Sequence, residues 1–132
     1  MSKLNVLFFV FVMFLIVLAS CEEDDDALTV DQSDIVGTWE VVGGDDFTEC
    51  QNGDNKLFVI SLTEIREGQT DNSGCQVNNS YVTLAYEYTN GNSLDAGIGV
   101  YKITSFEENR MTFVISSVLA TGVTSTVELV KK

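Results

Sequence analysis

Ile35-Val36-Gly37-Thr38-Trp39-Glu40-Val41-Val42 alternates along its length, with Ile35, Gly37, Trp39 and Val41 on one face and Val36, Thr38, Glu40 and Val42 on the other. Successive side chains of a β-strand point to opposite sides of its sheet, so this period of two predicts a strand that turns Trp39 toward a core. Gly43-Gly44-Asp45-Asp46 then ends it. Trp39 is the only tryptophan in the chain. On the apolar face of a strand it reads first as a core residue, and its indole N–H needs a partner there.

Downstream, the same period recurs. Lys56 to Arg66 reads as one strand with Phe58, Ile60 and Leu62 on a face, and Tyr81 to Thr89 as another with Val82, Leu84, Tyr86 and Tyr88 aligned. Asn90-Gly91-Asn92 is a turn, because asparagine and glycine tolerate positive φ. Gly97 to Phe106 and Arg110 to Val118 are strands on either side of a Glu107-Glu108-Asn109 turn, and the short interval makes them hairpin neighbours. Met111, Phe113 and Ile115 share a face of the second. After Thr121-Gly122, Val123 to Val130 sets Val123, Val127 and Leu129 together, while Cys75-Gln76-Val77 could open a further strand. Proline is absent and no helical period is sustained from Asp34 on. Short strands with regular turn signals predict an all-β, antiparallel domain of about seven to eight strands, an up-and-down barrel or, alternatively, a β-sandwich.

Upstream, Val6 to Leu18 is an unbroken apolar run behind Lys3, and Leu18-Ala19-Ser20-Cys21 closes it. As a helix the run would reach only about 20 Å at ~1.5 Å per residue, short of a hydrocarbon core of roughly 30 Å. This is the form of a secretory signal peptide. Its ending resembles the lipobox of bacterial lipoproteins, which implies cleavage before Cys21, lipidation of Cys21 and attachment to the outer membrane, facing either periplasm or cell exterior. Glu22-Glu23-Asp24-Asp25-Asp26 follows, five like charges that repel one another into an extended tether. Acidic residues at this place also resemble the surface-export signal of Bacteroidetes lipoproteins. The expected layout is a signal peptide over 1–20, an acidic linker over 21–33 and one β-domain over 34–132.

Composition removes several classes of function. The chain carries 20 acidic against 7 basic residues, a formal net charge of −13 and no histidine. That charge repels phosphate backbones, so no nucleic-acid partner is expected. Without histidine there is no serine–histidine–aspartate triad, no cysteine–histidine pair and little with which to hold zinc, so neither an enzyme nor a metal protein is expected. Asp45-Asp46 and Asn52-Gly53-Asp54-Asn55 offer oxygens of the kind calcium takes, but at no EF-hand spacing. Glu107-Glu108 lies on a turn that implies no cleft of the glycosidase kind. Asn78-Asn79-Ser80 has the form of a glycosylation sequon. Beyond Cys21 the chain holds two cysteines, Cys50 and Cys75. An even pair in a small exported domain predicts a disulfide.

Gly37-Thr38-Trp39 at the head of the domain resembles the Gly-x-Trp signature of lipocalin-like domains, in which the tryptophan plugs the base of the barrel. A lipobox, an acidic linker and a lipocalin-like domain together resemble small lipoproteins common in Bacteroidetes. The resemblance implies a non-enzymatic binding module without a cofactor, taking a small apolar ligand or an envelope component. A structural protein that docks an envelope complex, with a filled core, is the alternative. Lipocalins generally place an arginine across the tryptophan from near the last strand; Val123 to Val130 has none, and Arg110 begins the strand before it. Tyr81, Tyr86, Tyr88 and Tyr101 are the candidates to line a ligand mouth. With strands this short, side chains such as Phe58, Leu84, Phe113 and Leu129 are expected to fill most of the interior. That leaves at best a shallow mouth, with weak or no saturable binding of a long-chain fatty acid or similar apolar probe.

Overall fold

The computed structural model describes residues 27–45, 47–51 and 53–132. The chain order is a one-turn helix α1 (Gln32–Ile35), then β1 (Gly37–Gly44), β2 (Leu57–Ile60), β3 (Glu64–Thr70), β4 (Gln76–Ala85), β5 (Glu87–Thr89), β6 (Ser93–Asp95), β7 (Gly99–Glu107), β8 (Arg110–Ser117) and β9 (Thr124–Lys131). All nine strands belong to one antiparallel sheet in the order β4-β3-β2-β1-β9-β8-β7-β6-β5. A single sheet that curls on itself is barrel-like, and the two-sheet sandwich falls.

The first and last strands pair, with Trp39 opposite Lys131 and Val41 opposite Leu129. The free edges are β4 and β5, which are consecutive in sequence and separated by Tyr86 alone. Tyr81 to Thr89 is therefore one extended run that changes partner at Tyr86, from β3 before it to β6 after it. Exposed edges invite pairing with other chains. Here β5 has only 3 residues and β4 is interrupted by Asn79 at φ 59°.

Three boundaries differ from the alternation in the sequence. Lys56 to Arg66 is a hairpin, because the Ser61 hydroxyl accepts from the backbone N–H of Glu64 at 3.0 Å and folds the chain back. Leu62, assigned inward with Phe58 and Ile60, sits on that turn and is exposed. Ile35 belongs to α1, whose N-cap Asp31 accepts from Ser33 N–H at 2.9 Å. The packed region also begins before Asp34: Val30 is buried, Leu28 packs against the core, and Val30 N–H donates to Gly91 O at 2.7 Å. Residues 28–33, expected as linker, are part of the barrel. The Asn90-Gly91 turn forms as expected, with φ of 56° and 69°.

Trp39 seals one end, the base. It is fully buried, its indole N–H donates to Ile35 O at 2.8 Å, and it meets Phe106 edge-on at 6.3 Å between centroids. The place across its ring belongs to Lys131, on the last strand, with Nζ 5.4 Å from the Trp39 centroid. Gly37 has φ +145°, and a Cβ there would stand 2.8 Å from Lys131 Cε. The glycine of the Gly-x-Trp pair thus leaves room for the cation over the tryptophan. Above this plug, Phe58, Tyr101 and Phe113 form a triangle of edge-to-face contacts at 5.8–6.2 Å.

Candidate functional site

The opposite end of the barrel is open. A cavity of about 400 Å³ lies there, walled by Val41, Phe47, Ile115 and Val127 and floored by Phe58. Its volume falls within the range of roughly 300–1,000 Å³ that small-molecule sites occupy. The triangle of aromatics keeps it from running down to Trp39, so the site is a mouth and not a through-going channel.

Phe47 and Thr48 reach the cavity from the β1–β2 loop, and Gly74 from the β3–β4 turn. A disulfide between Cys50 and Cys75 joins these two segments. The loop is also held by Asn55, which accepts from Cys50 N–H at 3.0 Å and donates to Glu40 at 3.0 Å. In the β3–β4 turn Asp71 accepts from Ser73 and from Cys75 N–H, and the Ser73 hydroxyl first and Ser73 N–H second hold its carboxyl below the usual range. One wall of the mouth is thereby built from irregular chain fixed at both ends.

Inside the wall lies a polar cluster. Lys56 Nζ is paired with Glu67 Oε1, and the Tyr101 hydroxyl donates to Glu67 Oε2 at 2.9 Å. Lys56 also lies 5.3 Å from the Phe58 centroid. Both charged side chains are 28% exposed, so the pair faces the cavity and not bulk water on all sides. Burial above all, and then the negative charge of Glu67, push the Tyr101 phenol well above the ordinary tyrosine range. Tyr101 is a neutral donor at any physiological pH.

The four tyrosines do not gather at the mouth. Tyr101 touches two residues of the lining, Glu67 and Phe58, from behind. Tyr86 donates to Ser61 O at 2.6 Å and accepts from Gln32 at 3.1 Å, and Tyr88 lies 2.7 Å from both Val30 O and Gly91 O. Those two fasten the segment before β1 to the base. Tyr81 stacks under Arg66, with the guanidinium 4.6 Å from its ring centroid. Lys56 and Glu67 gave no signal in the sequence, since neither belongs to a motif and they meet only because β2 and β3 fold into a hairpin.

Around the mouth, Ile98 in the β6–β7 turn and Val118, Leu119 and Val123 in the β8–β9 turn are exposed, Leu119 to 88%. Val118 N–H donates to Ile98 O at 3.1 Å, which brings the two turns together as an apolar rim. Asp45 is engaged with Thr126 N–H at 2.9 Å. Cys21, the acidic run Glu22 to Asp26, Asp46 and Asn52 lie outside the described residues. No protein-family model, curated protein or solved structure matches the chain.

Proposed function

We propose that this chain is a non-enzymatic binding module of lipocalin-like kind, held to the outer membrane by lipid on Cys21, facing periplasm or exterior. Its site is the barrel mouth, and its ligand is a small apolar molecule or envelope component. The observation that carries the reading is a cavity of about 400 Å³ with apolar walls at the open end of a barrel sealed at the other. The layout of lipobox, acidic run and Gly-x-Trp strand supports it. So does Lys131, which stands over Trp39 where the resemblance calls for an arginine. The test uses the chain from residue 21 onward carrying Cys21→Ala, which keeps every described residue. The neutral dye N-phenyl-1-naphthylamine is expected to bind saturably, with one site per chain, and to raise the melting temperature by mass action. Ile115→Asp, in the wall, is expected to abolish binding. Absence of saturable binding would overturn the reading.

The rim of Ile98, Val118, Leu119 and Val123 favours a second reading, an interaction protein that docks an envelope complex through its surface. Leu119→Asp would then remove cross-links formed from the rim in whole cells while leaving dye binding unchanged. The opposite pattern would dismiss it.

A further inference from the structure

We infer that the mouth cavity favours uncharged ligands over anions, fatty acids included. This deepens the binding-module reading and rests on it. The cavity holds one cation, Lys56, and that charge is already spent: Glu67 takes it on Oε1 while its Oε2 receives the Tyr101 hydroxyl. The three groups form a closed, neutral unit set beside aromatic and aliphatic walls. An incoming carboxylate or sulfonate would have to displace Glu67 from Lys56 and leave a second anion beside it. In a partly desolvated site, like charges repel far more strongly than in water.

The wider field points the same way. With a formal net charge of −13 and Asp45 in the lining, an anion is opposed during approach as well as on arrival. A neutral molecule with an apolar body leaves the Lys56–Glu67–Tyr101 unit intact. Thr48 and Thr70 in the lining are polar partners available to a hydroxyl or carbonyl on it. The ligand class is therefore an uncharged, mostly apolar molecule with hydrogen-bonding capacity at one end.

Two dyes that differ by one charge test this. N-phenyl-1-naphthylamine is neutral, and 8-anilinonaphthalene-1-sulfonate carries the same aromatic body with a sulfonate. The neutral dye is expected to bind at least tenfold more tightly to the folded chain from residue 21 carrying Cys21→Ala. Glu67→Gln keeps the shape and the acceptor for Tyr101 but frees Lys56, so it should raise the ratio of sulfonate to neutral-dye affinity at least tenfold. Should Glu67→Gln not fold, Lys56→Gln carries the test, since it must favour 1-naphthylmethylammonium over its parent value by a similar factor. Equal binding of both dyes, or no response to either substitution, would overturn the charge rule while leaving the mouth as a site. If neither dye binds, the cavity is not a site and both readings fall.

Discussion

The ammonium of Lys131 lies 5.4 Å from the centroid of the Trp39 ring, on the strand that pairs directly with the strand carrying the tryptophan. The contact closes the base: Trp39 is held from below by Ile35 O, from the side by Phe106 and across its face by a cation. A cation over an indole contributes about 0.5–1 kcal/mol where it is partly exposed. Lys131→Met is therefore expected to lower stability by about that amount and to change the emission of the only tryptophan, while Lys131→Arg keeps both. Gly37→Ala should cost more, because the new Cβ meets the lysine stem from a backbone angle that side chains rarely adopt. Denaturant unfolding followed by Trp39 fluorescence measures all three.

Cys50 and Cys75 are 25 positions apart, and closing a loop of that length stabilises a fold by roughly 3 kcal/mol in the chain-entropy account. Cys50→Ser with Cys75→Ser should lower stability by about that amount. The same change should weaken dye binding, since the β1–β2 loop that carries Phe47 loses one of its two fixings. Alkylation of the native, unreduced protein is expected to find neither thiol.

Tyr101 gives the fold an alkaline limit. Its folded pKa lies above the ordinary tyrosine value of about 10, so the neutral phenol is preferred in the native state. The stabilising contribution is whole below pH 10 and is lost as pH rises toward the folded value, because the unfolded chain ionises first. Stability of the parent protein should fall above pH 10, and Tyr101→Phe should flatten that slope. At neutral pH the same substitution removes one hydrogen bond to Glu67, at a cost of about 1 kcal/mol.

Lipidation at Cys21 is expected to hold the protein in the membrane fraction when the whole gene is expressed in a bacterium. Cys21→Ala should release it or leave it unprocessed. Replacing Glu22 to Asp26 with alanine in a Bacteroidetes host should leave lipidation intact and remove accessibility to protease on whole cells.

Much of the barrel was legible in the sequence because a strand with one buried face writes its period directly. Phe58, Ile60, Met111, Phe113 and Leu129 are buried where alternation set them. The Cys50–Cys75 bridge followed from counting. What alternation could not show was where it reverses: Ser61 turns the chain within an unbroken run, and Tyr86 changes partner without breaking the extended conformation. β6, with 3 residues, is too short to have a period. The candidate site was less legible still. Lys56 opens the strand read over 56–66 and Glu67 lies just beyond it, and only the hairpin, with Tyr101 from a strand far along the chain, turns them into one cavity-facing unit. Tyr86 and Tyr88 misled because their rings satisfy the alternation while their hydroxyls fasten the segment before β1 to the base.

Tyr86 and Tyr88 give that fastening a mechanical meaning. The segment from Leu28 to Ile35 joins the barrel at the end sealed by Trp39, through the bonds of Val30, Gln32 and the two tyrosine hydroxyls. The cavity opens at the other end. Any force on the chain from its N-terminal side is delivered first to Val30 and its bonds to Gly91 and Tyr88, at the end sealed by Trp39. The mouth lies at the other end, away from the bonds that take that load.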